Sequence, residues 1–295
     1  MRIARWVLAA ALAWPTVARA DTTGEADAHY RSGIALKEQG KTDEAIRELE
    51  LAVVERPSHF MAWNTLGILY KKRGDLGDLD RAIDALEHAT KIIPDEPNAA
   101  ANLGMAYYRA GRDDDALRAL QTAAKLNPKD PDVHANIGTI MKKKGDTTGA
   151  IMHLELANQY RPNDAQTLSN LGNAYAKAKR YDDAIGAHRK AVALHPENAS
   201  FHFNLGSTLR RKEQVDDAIV EYKEAVRLDA NLADAWYDLG VLYRRNRDNP
   251  HALEAFQKYL ELTRGKDTAA DRRVEDDIKA LGGAGLAPAK KPGKK

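Results

Sequence analysis

One glycine returns along this chain with a period that leaves little freedom in the fold. It stands at Gly33, Gly67, Gly104, Gly138, Gly172, Gly206 and Gly240, at intervals of 34 residues except for one of 37. An alanine follows each by twelve residues, or by fifteen in the second copy, at Ala45, Ala82, Ala116, Ala150, Ala184, Ala218 and Ala252. Proline closes five copies in succession, at Pro57, Pro94, Pro128, Pro162 and Pro196, and gives way to Ala230 and Arg264 in the last two. Independent marks on one period define an internal repeat, and a period of this length means units that stack on their neighbours rather than surround a single core.

The stretch from Asn102 to Leu117 shows what one copy is made of. Leu103, Tyr107 and Ala110 keep a three-and-four rhythm, so they line one side of a helix. Gly111 ends it, where a residue without Cβ takes a left-handed conformation at low cost. Asp113, Asp114 and Asp115 then open a second helix carrying Ala116, Leu117, Leu120, Ala123, Ala124 and Leu126 before Asn127 and Pro128. Three adjacent carboxylates invite a metal or catalytic reading. In a first turn they are explained by the exposed amides and the positive end of the helix dipole, so they read as a helix start. Gly104, Ala116 and Ala123 let two antiparallel helices approach closely, and a larger side chain at any of them would cost about 1–3 kcal/mol.

These residues resemble the tetratricopeptide repeat, whose pattern runs W-x2-L-G-x2-Y, then A-x3-F, then P. Trp63, Leu66, Gly67 and Tyr70 match its first half, and Trp236, Leu239, Gly240 and Tyr243 match it again and continue into Ala252 and Phe256. The resemblance covers seven copies, at 26–59, 60–96, 97–130, 131–164, 165–198, 199–232 and 233–266. It implies an all-α fold, a right-handed α-solenoid of helix-turn-helix units. The first helix of each unit is expected to line a concave face that holds a peptide or a partner protein. It implies no reaction.

The second copy carries three extra residues within Asp75 to Asp80. A calcium loop needs alternating oxygen ligands, a central glycine and a distal glutamate over about twelve residues, which Asp75, Asp78 and Asp80 do not supply. A longer turn is expected. Thr22 and Glu25 have the spacing of a capping box for the first helix. After the last copy, Ala270, Val274, Ile278 and Leu281 form an apolar stripe, so residues 267–282 are read as a helix that covers the end of the stack. The Gly, Pro, Ala and Lys segment 283–295 is read as a disordered basic tail.

Residues 1–20 run from Arg2 and Arg5 through an apolar segment to Ala18, Arg19 and Ala20, the order of a secretory signal peptide cleaved after Ala20. The apolar run is about half the length a spanning helix needs, so no membrane-spanning segment is expected to survive cleavage. Export, with the periplasm as destination, follows. Without residues 1–20 the chain carries 42 basic and 43 acidic side chains, a balance that excludes a global electrostatic case for nucleic acid. With no cysteine, there is no disulfide, thiolate metal site or cysteine nucleophile.

Catalytic constellations are missing from the sequence as well. None of the nine histidines forms an H-E-x-x-H pair, and there is no G-x-S-x-G elbow or phosphate loop. His134 and His202 stand where Trp63 and Trp236 stand in other copies, and His188 where Leu120 and Phe256 do, so all three read as packing residues. No enzyme activity, cofactor or metal is expected. What remains is the face of the first helices. Asn102, Asn136, Asn170 and Asn204 recur at one position, where they read either as a ladder for the backbone of an extended peptide or as a common residue at that place. Beside them come Tyr30, Asn64, Phe203 and Tyr237, with Met61 at the entrance of the second copy, as anchors for a partner. Towards the helix ends lie Lys71, Lys72, Arg109, Lys142, Lys143, Lys177, Arg210, Arg211, Arg244 and Arg245. Cations there offset the helix dipole, and their doubling also fits a basic rim for an acidic or carboxylate-bearing ligand. The clamp by which some relatives hold a chaperone's acidic C-terminus is not expected, because Asp234 and Asp238 stand where its basic partners belong.

The expected function is a non-enzymatic scaffold of the bacterial envelope that gathers other proteins. The alternative is an accessory subunit that delivers substrate to a separate cell-wall or glycan enzyme. Self-association through terminal copies is a weaker possibility, opposed by the polar outer face of the last helix.

Overall fold

The structure, a computed structural model, describes residues 22–263 and 268–282. The expected signal segment 1–20, the basic tail 283–295 and the Thr22 side chain of the expected capping box lie outside what is described. Fifteen helices and no strand are found among the described residues. The chain groups into two compact units that divide after Lys144, inside the stretch 131–164 that the period marks as one copy.

Unit 1 holds α1 (Thr22–Glu38), α2 (Thr42–Glu55), α3 (Phe60–Arg73), α4 (Asp78–Ile92), α5 (Pro97–Arg109), α6 (Asp113–Leu126) and α7 (Pro131–Lys144). Unit 2 holds α8 (Thr147–Tyr160), α9 (Ala165–Lys177), α10 (Tyr181–Leu194), α11 (Ala199–Arg211), α12 (Val215–Leu228), α13 (Ala233–Arg245), α14 (Asn249–Thr263) and α15 (Thr268–Ala280). Consecutive helices pair as hairpins, α1 with α2, α3 with α4 and α5 with α6 in unit 1, and α9 with α10, α11 with α12 and α13 with α14 in unit 2. Each second helix also packs on the first helix of the next hairpin of its unit. Within a unit, successive first helices touch each other, as α3 does α5 and α9 does α11, so their side chains share one surface.

The periodic glycine and alanine fix the hairpin. Every periodic alanine from Ala45 to Ala252 is fully buried. The side chain four residues beyond it seats on the glycine of the first helix: a Cβ at Gly104 would stand 2.6 Å from Leu120 Cγ, and one at Gly240 2.5 Å from Phe256 Cδ1. Real Cβ contacts are not that short, so any other residue there forces the helices apart.

Long-range polar bonds tie hairpin to hairpin at fixed separations. Tyr107 Oη donates to Glu87 Oε1 at 2.6 Å and Tyr175 Oη to Glu155 Oε1 at 2.6 Å, and Tyr70 bonds Glu50 in the same way. Burial first, and then these glutamates, push the Tyr107 and Tyr175 phenols up to about 12, which keeps them donors. At thirty residues' separation, Lys144 Nζ meets Asp114 Oδ1 at 2.5 Å, Arg73 Nη1 meets Asp43 Oδ1 at 2.7 Å, and Lys212 pairs with Asp182. A ring at the start of the first helix binds the loop six residues back: Trp63 Nε1 donates to the Pro57 carbonyl at 2.9 Å and Trp236 Nε1 to that of Ala230 at 3.0 Å. His134 Nε2 and His202 Nε2 stand 2.9 Å from the Pro128 and Pro196 carbonyls, the same bond made by imidazole.

The insertion in the second copy is a closed turn. Arg73 grips Asp78 with two bonds of 2.7 Å, and the Asp75 amide donates to Asp78 Oδ2 at 3.1 Å. Asp78 is completely buried, so Arg73 is what makes its charge tolerable there, and the pair holds the carboxyl below the usual carboxylate range. At the C-terminal end, Val274 and Ile278 of α15 bury against Phe256, Tyr259 and Leu260 of α14.

Candidate partner-binding face

The asparagine position faces the surface shared by successive first helices, and all four asparagines are half-buried. In unit 1, Asn102 Nδ2 donates to Asn64 Oδ1 at 3.5 Å, and Asn102 Oδ1 accepts from Lys71 Nζ at 3.4 Å. Arg109 reaches back to donate to the Lys71 carbonyl at 2.9 Å. Lys71 is itself half-buried, and desolvation, with the Arg109 charge beside it, lowers its pKa. In unit 2, Asn204 Nδ2 donates to Ser169 Oγ at 3.1 Å. The next place in that row holds the buried Asp238, which accepts from Tyr222 Oη at 2.7 Å and has Arg210 3.6 Å away. Burial raises the Asp238 pKa, and its oxygens are engaged from within the fold. Asn136 and Asn170 share the position and the half-burial of the other two, Asn136 in unit 1 and Asn170 in unit 2.

The aromatic positions divide by exposure. Tyr237 is exposed and leans on Phe256 and Tyr259, with centroids 6.2 and 5.4 Å away, and Met61 is half exposed. Phe203 is half-buried against Tyr222 at 5.7 Å, and Tyr30 against His59 at 4.8 Å.

Several basic-rim residues have duties inside the fold. Lys143 pairs with Asp113 at 2.8 Å and stands over the Tyr108 ring, and Arg244 pairs with Asp277 of α15. Lys142 and Lys177 are also engaged with other groups. Lys72, Arg211 and Arg245 are exposed. The three aspartates of α6 are all used: Asp113 by Lys143, Asp114 by Lys144, and Asp115 by Arg112 and Arg118. The Lys143 and Lys144 ties each join residues thirty apart, one repeat less four, whereas those of Asp115 stay within its own turn.

Among the described residues no group of three His, Asp or Glu side chains is placed to hold a metal ion, and no helix is long and apolar enough to cross a membrane.

A family model described as the C-terminal domain of cilia and flagella-associated protein 70, a tetratricopeptide repeat (TPR) domain, matches residues 8–236. A tetratricopeptide repeat model matches residues 209–267. The chain belongs to this family of TPR domains. No curated protein matches it by sequence. Among solved TPR structures it is similar to the C-terminal part of a TPR protein from Cytophaga hutchinsonii, at 20% identity and a TM-score of 0.64 over 82% of this chain and 98% of that one. YrrB, described as a TPR protein with an unusual peptide-binding site, is 19% identical with a TM-score of 0.56, over 66% of this chain and 99% of its own. MamA from Desulfovibrio magneticus RS-1 is 27% identical with a TM-score of 0.55, over 58% of this chain and 97% of its own. The TPR fold is that of a protein-interaction scaffold.

Proposed function

We propose that this TPR protein is an exported, non-enzymatic scaffold of the bacterial envelope, working in the periplasm and binding an extended segment of a partner protein along its first helices. The observation that carries the binding part is the state of Asn102. Its amide is held by two bonds of 3.4 and 3.5 Å, longer than the 2.7–3.2 Å of a well-made hydrogen bond. An asparagine side chain has two N–H donors and a carbonyl with two lone pairs, so it keeps capacity for both groups of an incoming backbone. Lys71 beside it and the exposed Lys72 favour a segment with acidic residues. Export rests on the order of residues 1–20 alone.

The test is capture from envelope extract on residues 21–295, beside a variant with Asn102, Asn136, Asn170 and Asn204 changed to Ala. Equal helicity of both baits by circular dichroism is the control. A defined set of proteins retained by the parent and lost by the variant supports the reading, and identical sets sink it. Amino-terminal sequencing of the protein recovered from the periplasmic fraction checks export, with Asp21 expected as the first residue.

A further inference from the structure

Where a first helix of this chain carries the tyrosine that bonds the preceding second helix, the partner is a glutamate in three cases: Tyr70 with Glu50, Tyr107 with Glu87, and Tyr175 with Glu155. Where the tyrosine is absent the glutamate is absent too, for Met141 answers Gln121 and Leu209 answers Arg189. The seventh copy departs from that rule. Tyr243 keeps the phenol, but Lys223 occupies the glutamate's place. Burial, with Asp248 and Glu254 nearby, raises the Tyr243 pKa, so the hydroxyl remains a donor with no carboxylate of the chain in that place to receive it.

A second change lies beside the first. One copy earlier, His202 Nδ1 meets Glu221 Oε2 at 2.7 Å across the helix pair, whereas the equivalent residues here are Trp236 and Ala255. The other copy with a tryptophan there, Trp63, fills the space with His88, stacked at 4.5 Å, and closes the groove with the bond from Tyr70 to Glu50. Around Trp236 neither filler is present, and a cavity of about 350 Å³ opens between α12, α13 and α14. Its apolar floor includes Val226 and Leu239, both buried. The Trp236 N–H is spent on the Ala230 carbonyl, so the indole offers no further donor to whatever enters.

The charges on the rim differ in how far they are used. Arg227 is bonded twice to Glu224, at 2.7 and 2.6 Å. His251 is stacked on Tyr243 with centroids 5.1 Å apart and meets Asp248 Oδ2 at 2.7 Å. Lys223 lines the cavity with no ion-pair partner among the described residues. Glu254 is the one carboxylate in the lining.

We propose that this cavity is a second partner site, which takes one carboxylate side chain of an acidic peptide segment between the Tyr243 hydroxyl and the Lys223 ammonium and lays a neighbouring apolar side chain on Trp236. The carboxylate occupies the place that Glu50, Glu87 and Glu155 fill from within the chain elsewhere. A volume at the foot of the ~300–1,000 Å³ range of small-molecule pockets suits one or two side chains better than a cofactor. Glu254 limits the charge admitted, because a second carboxylate would face it. This site is distinct from the asparagine row, so either can fail alone.

Calorimetric titration of the full chain with an acetylated, amidated peptide Gly-Glu-Phe-Gly, and with its Gln counterpart, tests the proposal. The Glu peptide is expected to bind at least tenfold more tightly than the Gln peptide. Lys223→Glu, which restores the pattern of the other copies, should abolish binding and leave helicity unchanged. Glu254→Gln should tighten binding several-fold, and Asn102, Asn136, Asn170 and Asn204 changed together to Ala should leave it unaltered. Absence of binding at millimolar peptide, equal binding of the two peptides, or an unchanged affinity in Lys223→Glu overturns the proposal. Free 3-phenylpropionate binding as tightly as the peptide overturns the peptide source in favour of a small organic acid.

Discussion

Between the two helices of the hairpins that lie wholly in one unit, unit 1 places Gly40, Gly74 and Gly111 at φ of 76°, 74° and 73°, whereas unit 2 places Lys179, Glu213 and Arg247 at 61°, 63° and 60°. The second periodic position differs in the same direction. Beneath the glycine of the first helix, unit 1 seats Leu49, Leu86 and Leu120, and the hairpins that lie wholly in unit 2 seat His188, Tyr222 and Phe256. One backbone is thus built twice. Unit 1 uses the residues that suit each place best, glycine for a left-handed turn and leucine for a dry contact. Unit 2 accepts side chains that carry a cost there and brings polar atoms under its first helices. Tyr222 turns its hydroxyl into a bond with Asp238. His188 gains no such partner, since both its ring nitrogens are buried without a hydrogen bond.

The largest expected effect lies in unit 1, at its one elaborate polar device. Arg73→Ala would leave Asp78, with no solvent exposure, only the Asp75 amide and the more distant Arg81 at 3.7 Å, and breaking a buried pair from one side costs about 3 kcal/mol. Urea unfolding followed by circular dichroism should show the midpoint falling accordingly. Because the Arg73 bond lowers the Asp78 pKa, the stability it confers is complete above the ordinary carboxylate pKa and is lost as pH falls. The gap between Arg73→Ala and the parent should therefore narrow below about pH 4. A gap that stays constant to pH 3 would mean that Arg73 acts by packing rather than by charge.

Next comes His188, where unit 2 can be made to resemble unit 1. Its ring seats on Gly172, whose added Cβ would stand 2.5 Å from His188 Cε1, and burial pushes the imidazole down to about 4. The folded state therefore favours the neutral ring. Its full stability is present above the unfolded value near 6.5 and is lost progressively as pH falls towards 4. His188→Leu removes two orphaned polar atoms at similar volume and should stabilise the protein by about 1–3 kcal/mol at neutral pH. It should also flatten the decline in thermal midpoint between pH 6.5 and 4.5. A destabilised variant would show that the imidazole has a partner at this contact.

These residues also mark what the sequence could and could not disclose. The period placed Gly172 and His188 in packing positions, and the three extra residues around Asp75 read as a turn, because spacing along one chain reports local geometry directly. The ties from Lys144 to Asp114 and from Tyr107 to Glu87 join residues thirty and twenty apart. Such pairs meet only once the angle between hairpins is set, and no local rule gives that angle. For the same reason Lys143 and Arg244 read as rim charges although each has an acid at hand, and the cavity at Trp236 leaves no signature along the chain. Its departures from the copy of Trp63, Lys223 in the place of Glu50 and Lys258 in the place of His88, lie on different helices.

The smallest effect concerns the turns themselves. A non-glycine residue in the left-handed region costs roughly 1–2 kcal/mol, and glycine returns up to about 1 kcal/mol of that through the freedom it adds to the unfolded chain. Lys179→Gly, Glu213→Gly and Arg247→Gly should therefore each stabilise by about 0.5 kcal/mol, while Gly40→Ala or Gly111→Ala should destabilise by about 1 kcal/mol. Thermal midpoints of the five variants decide the matter. Of the three gains, that of Lys179→Gly should be the cleanest, because the adjacent Arg180, which covers the Tyr175 ring at 4.3 Å and bonds Asp183, is left in place. If instead the glycine variants in unit 2 lose stability, the side chains of Lys179, Glu213 and Arg247 supply contacts worth more than the strain. The two units would then differ in the fastening of their turns and not in how well each residue suits its backbone.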